Sequence, residues 1–396
     1  MEEWKTYKIG EICESVSDTY RGKALDVVLV NTSDVYDGVC LNHTFVPNKN
    51  LKGQFKKTFK RNDILYSEIR PANKRFAFID FEPENYIAST KLMVIRCSEL
   101  VRPRYLYHYL KRQEMLDELQ ALAESRSGTF PQITFSELAL FEINLPNLAT
   151  QDKIVAAIDC FDDKIALNNR INHNLEEQAQ ALYKSWFVDF EPFKEGKFVS
   201  SELGMIPKGW EVLRFNEFTT LSNERVNSET IPEFSVTNNG IFPRDTKFNK
   251  QLSSSSLKNK IIRKGDLVFG MSRDILNWGV MDDLVGGVSS AYTIYRVNSS
   301  LMDGLYLKNY MNQHLSYFKD LIRPAAREGQ GIDKGVLATK IVYRPSDIIW
   351  SSFLCIFSRL IAQIQLLSDE TQKLIAFRDT ILPELMEGRI SIKETS

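Results

Sequence analysis

Apolar residues recur at alternating steps of four and three over two long stretches of this chain. Positions 154, 158, 161, 165, 168, 172, 175, 179, 182 and 186 hold Ile, Ile, Phe, Ile, Asn, Asn, Leu, Ala, Leu and Trp. Positions 353, 357, 360, 364, 367, 371, 374, 378, 381 and 385 hold Phe, Phe, Leu, Ile, Leu, Thr, Leu, Arg, Ile and Leu, each 199 residues after its counterpart. A sustained heptad seam is the signature of a coiled coil. The spacing predicts two helices of about 33 residues, roughly 50 Å each. Elsewhere the β-rich runs Asp26 to Asn31, Asp63 to Ser67 and Lys91 to Cys97 predict strands. The stretch RYLYHYLKRQEMLDELQALAES from Arg104 predicts one helix. Strands and helices do not alternate regularly, so the expected class is α+β rather than a doubly wound sheet.

The seams belong to a larger internal repeat. EEWKTYKIGEI near the start returns as KGWEVLRFNEF, with Trp4 on Trp210, Lys8 on Arg214 and Glu11 on Glu217. KRNDILYSEIR returns as RKGDLVFGMSR with Asp63 on Asp266, and ASTKLMVIR as SSAYTIYR with Arg96 on Arg296. Six segments follow: a first mixed domain (1–148), a helix (149–190), a linker (191–206), a second mixed domain (207–347), a second helix (348–390) and a tail (391–396). The first helix ends just before the second domain and the second helix starts just after it, so the two helices are expected to run antiparallel. The symmetric register faces Asn168 with Thr371 and Asn172 with Leu367. Polar seam residues of this kind fix register; an ordinary solvated patch is the other reading. Two similar domains joined by a pair of long antiparallel helices, related by a pseudo-twofold axis, suit two half-sites on one face of a DNA duplex.

Charge strengthens that reading only when taken by region. The net charge is −1, but Lys49 to Arg75 carries nine basic and two acidic residues, and Arg244 to Lys264 seven and one. Residues 149 to 204 carry six basic and ten acidic. The total conceals two basic patches. Apolar content of 43% supports a folded core. The five cysteines form no CxxC pair and the four histidines are scattered, which argues against a zinc site and fits a reducing, cytoplasmic setting. The most apolar stretch, Ile348 to Ala362, is short for a membrane span and is interrupted by Arg359. The N-terminus lacks the pattern of a signal peptide.

Catalytic constellations are not evident. No GxxxxGK[ST] loop occurs, and EGQGIDKG (Glu328 to Gly335) misses the GxGxxG spacing. There is no Pro-Pro dipeptide, which excludes the acidic or amide residue followed by Pro-Pro-aromatic motif of amino-methyltransferases. Asp189 with Glu195-Gly-Lys197 could be a nuclease-like carboxylate set, but a solvated charge run in a linker explains it better. Two copies of one scaffold with different loops suit two readings of different targets. FPQIT in the first copy has become QGIDKG in the second, and SEIRPANKR has become GMSRDILNW.

LPNLATQDKIVAAIDCFDDKI entering the first helix, LYKSWFVDFEPF at its end, LGMIPKGWEV opening the second domain and LIAFRDTILPELMEGRISI at the C-terminus resemble the specificity subunits of type I restriction–modification enzymes. RPSDIIWSSFLCIFSRLIAQI departs from the pattern, lacking the Gln-Asp-Lys opening of the first helix. The resemblance implies two target-recognition domains, each reading half of a split double-stranded DNA target across an unread spacer. It implies assembly with two methyltransferase subunits, which methylate an adenine amine, and in the restriction form with two motor–nuclease subunits. S-adenosylmethionine, ATP and Mg would be bound by those partners, and the chain itself would bind no cofactor or metal and carry no catalysis. A methylation-only assembly, a protein-interaction scaffold without DNA and an enzyme with an unrecognised site are the competing readings.

Within that picture, Lys56, Lys57, Lys60 and Arg61, and equivalently Lys258, Lys260, Arg263 and Lys264, are candidates for phosphate contacts, with a solvated basic loop as the alternative. Base reading needs paired donors and acceptors. In the first domain the candidates are Arg70, Asn73, Lys74, Arg75, Arg126, Ser127, Thr129 and Gln132. In the second they are Arg273, Asn277, Arg327, Gln330 and Lys334. Partner docking is expected on the outer faces of the helices and at Trp186, Phe187, Phe190 and Phe193; equally, those aromatics could cap the coiled coil and pack on the second domain.

Overall fold

The computed structural model describes residues 4–49, 53–125, 131–228, 230–244, 256–272, 274–322 and 331–392. The chain divides into two compact units, Met1–Asn172 with Gln365–Ser396, and His173–Ile364. Both division points fall inside the long helices, Leu148–Phe187 and Asp347–Met386, so each helix gives one half to each unit.

In the first unit, Lys5–Lys8 pairs antiparallel with Glu142–Leu145, drawing the two ends of the mixed region together. A four-stranded sheet follows in the order Cys13–Val16, Leu92–Cys97, Ile64–Ser67, Phe76–Phe78. Its two central strands are buried on both faces over most of their length, and the period of two sorts the side chains. Ile64, Tyr66, Met93 and Ile95 face the core shared with the helices, while Leu65, Ala77, Leu92 and Val94 face a second core. A second sheet closes that core, in the order Phe45–Pro47, Asp26–Val30, Tyr86–Ser89, Phe55–Lys57, with a parallel central pair.

The second unit repeats this plan. Glu211–Arg214 pairs with Ile341–Arg344, and a sheet runs Thr219–Ser222, Thr293–Val297, Leu267–Phe269, Trp278–Val280 in the same order. Leu267, Phe269 and Tyr295 face one core, and Val268 and Ile294 the other. The strand entering each unit runs into a one-turn helix, Ile9–Ile12 or Phe215–Phe218. Glu11 accepts from the backbone N–H of Lys8 (2.7 Å) and Glu217 from that of Arg214 (2.6 Å), satisfying an otherwise orphaned donor. This explains why the glutamate recurs in both copies. The fold is thus α+β, with two similar domains and two long helices.

The helices pair antiparallel within each unit. In the first, Phe161 packs on Phe377, at 5.5 Å between ring centroids, and Asp162 accepts from Arg378. In the second, Trp186 and Phe187 pack on Phe353. Asn168 and Thr371 are both buried, but Asn168 donates to Glu370 (2.8 Å) and Asn172 to Ser368 (3.1 Å). The register is the one expected, while the amides bond residues flanking the seam. Toward Phe187 the buried positions become 179, 183 and 187, as a straight 3.6-residue helix drifts off a strict heptad.

Two expectations need correction. The single helix from Arg104 is two, Pro103–Leu110 and Gln113–Glu124, broken at Arg112, whose backbone is extended and whose guanidinium lies over Tyr109. A straight helix of that length would run about 33 Å, past a four-stranded sheet some 15 Å wide. The bend lets Met115, Leu116 and Leu119 join the core of Tyr105 and Leu106. The helix Asp347–Met386, judged too short in apolar stretch, does contain an 18-residue window of mean hydropathy 1.4 and passes the length and composition test for a span. Phe353, Phe357, Leu367, Leu382 and Leu385 are buried by packing, whereas Ile348, Leu366 and Phe377 are exposed.

Candidate nucleic-acid interface

The turn at residues 70–75 is held by its backbone. Arg70 and Lys74 both adopt the left-handed conformation, at φ 45° and 53°, around the short helix Pro71–Asn73. The turn leaves the sheet after Ser67 and returns at Phe76, and Ser67 N–H closes it on Arg75 O (2.8 Å). The strained pair thrusts Arg70 and Asn73 into solvent, where both are exposed. The segment from Pro131 runs beside this turn. Arg70 N–H donates to Pro131 O (3.1 Å), Ile133 N–H to Glu68 O (2.9 Å), and Ile69 bridges Gln132. The 70–75 turn and Gln132, chosen separately in the sequence, therefore lie side by side. Arg126, Ser127, Thr129, Arg273, Arg327 and Gln330 lie outside the described residues.

Several candidates have local duties instead. Arg75 donates to Ser33 O (3.1 Å) and lies over Tyr36, which ties the turn to a neighbouring hairpin. Asn277 bonds Met271 O through its side-chain amide, and its backbone N–H bonds Ser272 Oγ, closing the loop that carries it. Lys57 Nζ donates to Leu92 O and Lys260 Nζ to Tyr292 O, each at 2.8 Å. Burial lowers the pKa of both, helped at Lys260 by the neighbouring Lys334 and Arg225. Arg263 makes a two-pronged pair with Glu224.

Lys56, Lys60, Arg61, Lys258, Lys264 and Lys334 are exposed. Among the described residues Arg61 has only a long contact to Glu82, 3.8 Å. The structure also adds cations that the sequence reading passed over. Thr19 bridges Lys57, and Tyr20 N–H donates to Lys56 O (2.8 Å), so exposed Arg21 and Lys23 follow directly alongside that strand. In the second unit Arg225 bridges Lys260 and Val226 N–H donates to Asn259 O (3.0 Å), the same arrangement. Each unit thus assembles its basic edge from two chain segments.

Behind each edge sits a repeated ion-pair network. Arg96 bonds Asp63 twice and approaches Asp18 at 3.8 Å. Arg296 bonds Asp266 and Glu224. Hydrogen bonds from Arg263 and Arg296 hold the Glu224 carboxyl down to about 2. The repeated Asp and Arg were visible in the sequence; their pairing was not.

Trp186, Phe187, Phe190 and Phe193 pack on Trp210, Tyr343 and Phe353 in the second unit's aromatic core. Phe187 is fully buried and packs as the capping alternative expects, while Trp186, Phe190 and Phe193 are half-buried. One grouping of histidine with carboxylates stands out among the described residues, His108 with Asp159 and Asp162. Arg104, Lys111 and Arg378 already bond these carboxylates at 2.6–3.0 Å, which makes it an ion-pair network rather than a metal cradle.

Comparison with known proteins follows the same line. The family of type I restriction modification DNA specificity domains matches residues 1–177. The type I restriction enzyme HindI specificity subunit of Haemophilus influenzae is 46% identical over 196 residues, 49% of this chain and 43% of that protein. The MjaIX specificity subunit of Methanocaldococcus jannaschii is 27% identical over 307 residues, 73% of this chain and 69% of that one. The chain thus spans less than half the length of the first of these relatives. The type I restriction-modification S subunit from M. genitalium shares the fold, with a TM-score of 0.55 at 13% identity over 100% of this chain and 97% of that one.

Proposed function

We propose, from the match of residues 1–177 to the family of type I restriction modification DNA specificity domains, that this chain is the DNA sequence-specificity subunit of a type I restriction–modification system. Each domain reads one half of a split double-stranded target, and the helix pair sets the unread spacer. The observation that carries this reading is the duplication itself. The same scaffold, ion-pair network and basic edge occur twice, while the loops at that edge differ.

Exposed Lys56, Lys60, Arg61, Lys258 and Lys264, joined by Arg21 and Lys23, contact phosphates and set affinity and salt dependence. Lys57 and Lys260 support them from behind, and exposed Arg263 is held by its pair with Glu224. Arg70, Asn73 and Gln132 in the first domain and Lys334 in the second present donors to base edges. The chain catalyses nothing itself. Two methyltransferase subunits supply S-adenosylmethionine and receive the adenine after it leaves the stack. In the restriction form, two motor–nuclease subunits supply ATP and Mg chemistry in the cytoplasm. The exposed apolar residues of the second long helix, Ile348, Leu366 and Phe377 among them, cover partner helices rather than lipid.

Titration of the chain with its methyltransferase subunits against duplex DNA at graded salt tests the reading. The log of affinity should fall linearly with log salt, by about 0.9 per phosphate contacted. Assembly without DNA binding at low salt would leave the scaffold reading in its place.

A further inference from the structure

The two units act as an internal control on which polar contacts the fold requires. Strand register fixes the equivalences without reference to loop length. Leu65 pairs with Val94 as Val268 pairs with Ile294. Contacts that hold the scaffold recur at equivalent positions: Asp63 with Arg96 as Asp266 with Arg296, and Lys57 on Leu92 O as Lys260 on Tyr292 O.

One polar cluster in the first unit does not recur. Glu68, Lys91 and Gln132 come from three separate chain segments. Lys91 Nζ donates to Gln132 Oε1 (3.1 Å) and to Glu68 Oε2 (3.4 Å). Their backbones are knitted as well, with Glu68 N–H on Lys91 O (3.0 Å) and Ile69 bridging Gln132. Extending the register, the second unit holds Met271 and Ala291 where the first holds Glu68 and Lys91. Ile133 and Ile332 are buried before the cap residues Thr134 and Asp333, so Gly331 stands where Gln132 does. An acid, a base and an amide in one unit are thus replaced by Met, Ala and Gly in the other.

The cluster is at the surface, with Lys91 49% and Glu68 23% exposed. A solvated pair of this kind contributes little to stability, which agrees with its absence from the second unit. It also lies where the 70–75 turn meets the segment that starts at Pro131, two residues from exposed Arg70, whose side chain has no partner among the described residues.

We infer that Glu68, Lys91 and Gln132 are specificity-determining residues that read base edges in one half of the DNA target. This rests on the function proposed above. With two donors of Lys91 engaged, a third N–H is open. The amide NH2 of Gln132 supplies two more donors, and the second oxygen of Glu68 is an acceptor. Major-groove edges offer the complement: acceptors at guanine N7 and O6 and at thymine O4, donors at cytosine N4 and adenine N6. The bonds within the cluster fix these groups before DNA arrives, so less side-chain freedom is lost on binding. Lys57, on an edge strand of the other sheet, helps by holding the carbonyl oxygen of Leu92, the residue after Lys91.

The test uses the full assembly, with this chain co-expressed with its methyltransferase subunits and methylated adenines mapped. Lys91→Ala, Glu68→Met and Gln132→Gly each install the residue the second unit already carries there, and Glu68→Gln keeps the shape while removing the charge. The expected result is altered or relaxed base choice in one half of the split motif, with discrimination falling on the order of tenfold, and the other half, the spacer and the thermal midpoint unchanged. Variants that keep the wild-type motif in both halves overturn the assignment. Should methylation vanish in a variant, its binding to duplexes substituted base by base decides: a loss of discrimination confined to one position supports the assignment, and an equal loss at all positions overturns it. A wild-type assembly that yields no split motif overturns the specificity function, and this assignment with it.

Discussion

Arg96 closes on Asp63 with two hydrogen bonds, Nε to Oδ1 at 2.9 Å and Nη2 to Oδ2 at 2.7 Å, and Asp63 also accepts from the backbone N–H of Lys60. One buried carboxylate therefore ties a strand of the central sheet to the turn that carries the basic edge. Replacing Asp63 with Ala strands a guanidinium that is only 23% exposed. The expected cost is about 2–4 kcal/mol, below the top of the buried-pair range because solvent reaches Arg96. Hydrogen exchange should show it in the first unit alone, and Asp266→Ala should do the same to the second.

Acid should loosen the first unit through His108. It is fully buried, and its Nε2 meets Asp159 at 2.7 Å, with Lys111 and Asp162 nearby. Burial lowers its pKa to about 4, against a partial lift from the Asp159 hydrogen bond. The unfolded chain binds the proton more readily, so the contribution is complete above about pH 6.5 and is lost as pH falls toward 4. The loss is on the order of 2–3 kcal/mol. Burial opposes ionisation of Asp159 and Asp162, but their cationic partners outweigh it and hold both low. Their share is therefore lost only below the ordinary carboxylate range. A His108→Gln variant should flatten the pH 4–6.5 slope in denaturant titrations.

The helix seam carries polarity that costs stability. Asn168 is fully buried, and neither its Oδ1 nor Thr371 Oγ1 has a partner among the described residues. Asn168→Leu should raise stability by about 1–2 kcal/mol, since it removes an unsatisfied acceptor and leaves Glu370 partly solvated. A higher thermal midpoint checks this, and a midpoint that falls would show the amide to be needed for more than register.

Neighbouring lysines should behave differently on DNA. Lys56→Ala should reduce the slope of log affinity against log salt by about 0.9, the release of one phosphate contact. Lys57→Ala should leave that slope in place and instead lower stability, because its Nζ is spent on Leu92 O. Salt titrations of the two variants, with melting curves, separate these roles.

The helices and the duplication were legible because they rest on periodicity, which many residues report together. The heptad positions defined two helices, and their connection through the second domain set them antiparallel. The repeat of Asp63 and Arg96 as Asp266 and Arg296 marked residues that the structure pairs. What stayed hidden depends on single side chains. No periodicity tells Lys57, bonded inward, from exposed Lys56 beside it. Glu68 and Lys91 are 23 positions apart and meet only because adjacent strands bring them together. The break at Arg112 was missed because the apolar pattern continues across it; the extended backbone there is set by the core the second helix must reach. Phe187, for which docking and capping were equally open in the sequence, is claimed by Trp210 and Phe353 from distant parts of the chain.

Genome-wide mapping of methylated adenines, in cells co-expressing this chain with its methyltransferase subunits, tests the central claim most directly. The account predicts one split motif, two defined halves around a gap of fixed length, that disappears when this chain is omitted. Methylation at a continuous motif, or an unchanged pattern without the chain, would contradict it.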